Sequence, residues 1–179
     1  MANTALLIID MLTPYDHEDA EPLAESVVEK LPAIVDLRDR ARGASDTVTV
    51  YVNDNYDEWE LDHDDIVKRA LNGRRPDLVE PIVPREPVPF VVKGRHSIFY
   101  QTAVDHLLRV KEAERLILTG QVTEQCILYS ALDAYIRGYE LVVPSDAVAC
   151  IDPELADAAL KMMASNMHAD VSGAAELAR

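Results

Sequence analysis

The chain has 179 residues, 49% of them apolar, which suits one domain over residues 1–179 built around one sizeable core. Lys and Arg number 17 against 32 Asp and Glu, a formal net charge of −15. Such a surface repels phosphate backbones and anionic lipid, so neither nucleic acid nor membrane is an expected partner. No apolar run reaches the length of a membrane span, and the opening MANTALLIIDM reads as a strand rather than a signal peptide. Two cysteines, Cys126 and Cys150, are too few for a disulfide framework, so free thiols in a reducing, cytoplasmic compartment are expected.

Taken in chain order, Ala5, Leu6, Leu7, Ile8 and Ile9 form a continuous apolar run ending at Asp10, the mark of a strand buried on both faces. Leu23, Val27, Leu31, Ile34 and Val35 then recur at helical spacing as far as Arg42, with Gly43 as the stop. Pro32 inside that pattern predicts a kink or two helical pieces. Residues 47–52 read as a second strand. From Asn53 to Pro89 the periodicity weakens; residues 66–71 suit a short helix, and Pro76, Pro81, Pro84, Pro87 and Pro89 argue against regular structure. A loop of that length inside a compact domain is expected to wall a pocket.

Phe90, Val91 and Val92 make a third strand ending at Lys93, and Thr102 with Asp105 resembles a capping box opening a helix to Val110. A fourth strand is expected over 115–119, a helix over 124–137 closed by Gly138, and a fifth strand over 140–143. Asp152 and Pro153 open a last long helix to Met167, with a sixth strand expected over 170–172 and a short terminal helix after it. Strands alternating with helices predict a three-layer α/β/α fold on a mainly parallel six-stranded sheet.

Ligands of open α/β sheets bind beyond the carboxyl ends of the strands. Three reactive side chains fall at such ends: Asp10, Lys93 and, just past the fourth strand, Cys126. Each alone has a plainer explanation as cap, solvated cation or packing thiol. The context of Cys126 is more telling. Thr123 makes a good N-cap, which puts the thiol in the first turn of a helix, where the dipole and free N–H groups favour a thiolate and could hold an oxyanion. Asp10 could take the thiol proton and return it to a leaving amine, and Lys93 could hold both in register.

The strings LLIIDM, VVKGRHSIFYQT and LILTGQVTEQCILYSALDAY resemble the three signature segments of the isochorismatase-like cysteine hydrolases, a superfamily related to the nicotinamidases. The resemblance runs from Ala5 to Leu177. It implies that Asp10 is the proton-shuttling acid, Lys93 the lysine and Cys126 the nucleophile. It further implies backbone N–H groups of Thr123 and Cys126 as an oxyanion hole, and a non-proline cis peptide that maps to Val122–Thr123. Nicotinamidases of this family carry an Asp-x-His pair and a further histidine that hold a metal. Here Tyr56 stands where the first histidine would be, and His63 alone cannot rebuild the site, so the resemblance is to a metal-free subgroup with no cofactor. The five histidines (His17, His63, His96, His106 and His168) are scattered and suit surface or capping roles.

Tyr15, Asn55, Trp59, Phe99 and Tyr129 are candidates for the substrate pocket. Leu12 follows Met11 where many relatives have Gln, which would remove a polar contact near it. Cys150 reads as structural, and Met162, Met163 and Met167 as the buried or interfacial face of the last helix. The expected activity is cleavage of a small carboxamide or ureido C–N bond through a Cys126 thioester. The alternatives are vinyl-ether hydrolysis led by Asp10, or a non-catalytic ligand-binding relative. A small-molecule substrate and a homo-oligomer, dimer or tetramer, complete the expectation.

Overall fold

The computed structural model describes residues 3–177. A central sheet of six strands has the order β3-β2-β1-β4-β5, with the short β6 pairing beside the end of β4. The strands are β1 (Thr4–Ile9), β2 (Thr47–Asp54), β3 (Phe90–Lys93), β4 (Arg115–Gln121), β5 (Glu140–Val142) and β6 (Val148–Ala149). Every pairing between them is parallel.

The apolar run of β1 is explained by its central place. Ala5, Leu7 and Ile9 pack into one hydrophobic cluster and Leu6 and Ile8 into another, because successive side chains leave a strand on opposite faces. The first cluster takes Val104, Leu108, Ala131, Met163 and Met167 from α4 (Val104–Val110), α5 (Leu128–Ile136) and α6 (Pro153–Met167). The second takes Leu23, Val27, Leu31, Ile66 and Leu78 from α1 (Ala20–Gly43), α2 (His63–Leu71) and α3 (Pro76–Val79). Helices therefore cover both faces of the sheet.

Several local expectations are corrected. Pro32 lies inside α1 without dividing it. Pro76 and Pro81 do not bar regular structure: the first starts α3 and the second lies in a 3-10 turn at Glu80–Ile82, because a proline lacking its N–H is tolerated in a first helical turn. Residues 83–89, with Pro84, Pro87 and Pro89, are irregular as expected. Thr102 and Asp105 form no capping box. The Thr102 hydroxyl accepts from Val104 N at 3.3 Å, while Asp105 accepts from Arg109 and Tyr139. The expected strand over 170–172 reduces to a single bridge from Asp170 to Val142, and β6 takes the sixth place. Residues 174–177 make a turn rather than a helix. Asp152 caps α6 as expected, accepting from Glu154 N and Leu155 N.

The strand order reverses between β1 and β4, and a crevice opens beyond their carboxyl ends. Gly120 makes their close approach possible. It adopts φ +110°, and a Cβ there would overlap the Ile9 carbonyl oxygen, one residue before Asp10.

Candidate active site

Four strand ends deliver the reactive groups. Asp10 follows β1 directly, at φ 55°. Asp54 and Lys93 are the last residues of β2 and β3 and are register partners. Cys126 lies in a π turn, Thr123–Ile127, between β4 and α5. That turn is tied down from outside, since Glu124 Oε1 accepts from Ile151 N and Asp152 N, both at 2.9 Å.

Lys93 is the hub. Its ammonium is 2.9 Å from Asp10 Oδ2, 3.0 Å from Asp54 Oδ2 and 3.6 Å from Cys126 Sγ, with its side chain 0% exposed. The other oxygen of Asp10, Oδ1, accepts from Asp54 N at 2.8 Å. Gln121 Nε2 donates to the Asp10 carbonyl at 2.6 Å, and Tyr56 N donates to Asp54 Oδ1 at 2.7 Å. The three expected residues Asp10, Lys93 and Cys126 are thus brought together.

Burial dominates the electrostatics. It raises the Asp10 carboxyl above its ordinary value, outweighing the opposing attraction of Lys93. Burial alone would lower the lysine, but Asp10, Cys126 and Asp54 together hold its ammonium above the ordinary value. Burial also raises the Cys126 thiol, and the Asp10 charge adds to it. Both influences act against the thiolate that the helix opening favours. The helix opening loses to the apolar surroundings and the neighbouring carboxylate.

The expected cis peptide is also corrected: it is Gln121–Val122, one residue earlier than Val122–Thr123. Nor does Thr123 act as an N-cap. Its hydroxyl donates to the Ala149 carbonyl of β6 at 2.9 Å, which ties the turn to the sheet, while the Val122 carbonyl accepts from Gln125 N and Ile127 N.

A cavity of about 410 Å³ opens onto Asp10 and Cys126, with Asp54, Tyr56, His96, Gln121 and Arg69 among its walls. Of the candidate pocket residues, none is in that wall. Tyr15 is buried in the core, its hydroxyl facing Gln121 Oε1 at 3.5 Å. Phe99 is buried beneath the Arg137 guanidinium, 4.7 Å from its centroid, and stacks on Tyr139. Asn55 and Trp59 line a separate cavity of about 460 Å³, with Lys93 among its walls. Tyr129 approaches indirectly, meeting the His96 ring edge-on at 5.4 Å. Leu12 is buried in the core, and its backbone is held by Asn53 and Tyr56.

His96 itself is a residue that sequence reasoning assigned to the surface. Its Nδ1 lies 3.6 Å from Cys126 Sγ. The available signal was its position three residues after Lys93, and nothing in one sequence shows which way a loop histidine turns. Asp54, the acid two residues before Tyr56, is the second carboxylate on Lys93.

The residues around Asp54 do not fit a metal. The Asp54 carboxylate is engaged by Lys93 and Tyr56 N, the Tyr56 hydroxyl donates to Leu12 O at 3.2 Å, and the His63 ring packs on Phe90 at 4.3 Å. Among the described residues no group of three or more His, Cys, Asp and Glu is arranged to hold an ion.

Residues 4–176 match the model of the isochorismatase domain. The chain belongs to the isochorismatase family. An uncharacterized family protein of Bacillus subtilis (strain 168) is 33% identical over 171 residues, covering 96% of this chain and 94% of the relative. Among solved structures, a nicotinamidase/pyrazinamidase from the same species is similar at 27% identity and a TM-score of 0.72, covering 96% of this chain and 100% of that one. An N-carbamoylsarcosine amidase from Thermoplasma acidophilum shares the fold at a TM-score of 0.76 and 24% identity, covering 100% of both chains. The parallel sheet with helices on both faces is the family fold, and the protein is an enzyme of this hydrolase family. No helix among the described residues is long and apolar enough to cross a membrane.

Proposed function

We propose that this isochorismatase-family hydrolase cleaves a carboxamide or ureido C–N bond of a small molecule through a thioester on Cys126. The observation that carries the reading is the Lys93 ammonium, 2.9 Å from Asp10 Oδ2 and 3.6 Å from Cys126 Sγ, beneath an acid and a thiol that both border one cavity. The similarity to a nicotinamidase and the fold shared with a carbamoylsarcosine amidase support the amide class.

The buried cluster favours an internal proton transfer. Ionising Cys126 by release to solvent adds a charge to a dry site, whereas moving its proton onto Asp10 leaves the net charge of the cluster unchanged. The sulfur then attacks the substrate carbonyl, with the developing oxyanion held by backbone N–H groups of Thr123 and Cys126. Asp10 returns the proton to the leaving nitrogen, the C–N bond breaks, and the amine departs. Water then cleaves the thioester. Lys93 holds the acid and the sulfur together and offsets the charge of two carboxylates. The residues around Asp54 supply no metal role, and the steps above use side chains and backbone alone.

Ammonia release from a panel of small amides and ureides, with isochorismate in parallel, identifies the substrate class. On a turned-over amide, Cys126→Ala and Asp10→Asn are each expected to lower kcat by about 10³-fold or more, since nucleophile and proton carrier act as one unit. Cys126→Ala retaining most activity while Asp10→Asn loses it would replace the covalent reading with vinyl-ether chemistry. We also read the protein as a cytoplasmic homo-oligomer. The row of exposed Tyr129, Leu132, Tyr135 and Ile136 on α5 supports the association.

A further inference from the structure

The mechanism above leaves one group at the sulfur without a task. His96 is exposed to solvent on one side, while its Nδ1 lies 3.6 Å from Cys126 Sγ on the other. On its flank Tyr129 meets the ring edge-on at 5.4 Å. His96 is also a wall of the cavity that opens onto Asp10 and Cys126. Asp10, by contrast, is buried, with one oxygen on Asp54 N and the other on Lys93.

The two half-reactions ask for protons at different places. In the first, the proton travels from the thiol to the leaving nitrogen, both within the buried cluster. In the second, water arrives from the cavity after the amine has gone, and must lose a proton beside the C–S bond. Asp10 borders the same cavity but is buried, whereas the imidazole is exposed to the incoming water and stands beside that bond.

We infer that His96 is the general base of thioester hydrolysis. This rests on the proposed thioester chemistry and adds a residue to it. With its resident proton on Nε2, Nδ1 takes a proton from water and the oxygen bonds to the acyl carbon. The tetrahedral intermediate collapses, the C–S bond breaks with its electron pair on sulfur, and the Nδ1 proton passes to the departing thiolate. The carboxylic acid leaves, and the imidazole and thiol are restored.

The division of labour is tested with p-nitrophenyl acetate, an activated ester that acylates a thiol without the natural substrate. Single-turnover release of p-nitrophenol reports acylation, and steady-state release with intact-protein mass spectrometry reports deacylation. In His96→Phe, acylation is expected to stay within about twofold while deacylation slows by about 10²-fold, the usual contribution of a general base, so that an acetyl adduct accumulates on Cys126. Added imidazole is expected to speed deacylation in His96→Gly, a rescue that a merely structural role would not produce. Equal slowing of both phases, or unchanged deacylation with the adduct still forming in the parent enzyme, would overturn the role of His96 alone. Absence of any adduct on Cys126 in both the parent enzyme and His96→Phe would overturn the thioester reading together with it.

Discussion

Two acids and a thiol share one ammonium in this site, and a single proton distinguishes their working form from their idle ones. Asp10 must be ionised to accept the thiol proton, and burial raises its carboxyl. The acidic limb of kcat/KM is therefore expected above the ordinary carboxylate value of about 3.9, because protons remain on Asp10 to higher pH. Cys126 must begin protonated, and burial with the Asp10 charge raises it too, which moves the alkaline limb above the ordinary thiol value of about 8.5. A pH–rate profile checks both signs. An acidic limb at or below the ordinary carboxylate value would mean that Lys93 outweighs burial at Asp10.

At the scale of elements, the site depends on how tightly β1 and β4 approach. Gly120 pairs with Ile9 in the parallel register, and its φ of +110° with no Cβ lets the strands close just before Asp10. Gly120→Ala combines a left-handed backbone with an overlap onto main chain. A loss of about 2–5 kcal/mol in stability is expected, measured by urea unfolding, with activity falling further as Asp10 is displaced. A variant as stable and active as the parent would show that the strands can separate without disturbing the acid. The π turn carrying Cys126 is the second such element. It is held by Glu124 against the start of α6 and by Thr123 against β6, so the nucleophile is referenced to two elements distant in sequence.

For the whole molecule, a charge of −15 per chain opposes self-association, while the row of Tyr129, Leu132, Tyr135 and Ile136 on α5 favours it. Added salt shortens the Debye length from about 30 Å at 0.01 M to about 8 Å at 0.15 M, which weakens the repulsion and leaves apolar contact intact. Light scattering after size exclusion is expected to show an oligomer that tightens over that range, and Ile136→Glu is expected to shift it towards monomer. A monomer at every salt concentration would refute the homo-oligomer.

Five of the six strands and the three reactive positions were legible in the sequence because they depend on local pattern. A buried parallel strand reads as an unbroken apolar run, as at Leu6, Leu7 and Ile8, and a doubly wound sheet collects its chemistry at strand ends, as at Asp10 and Lys93. What lies around those positions was settled by distance between segments far apart in the chain. Lys93 meets Asp54 across 39 positions and Cys126 across 33, and His96 meets Cys126 across 30. Tyr15 and Phe99 looked like pocket aromatics because size and type do not reveal direction, and both are turned into the core. The influences on the Cys126 thiol divide the same way. A helix opening is local and favours the thiolate, but burial beside a carboxylate exists only once the sheet has closed, and that is the stronger influence.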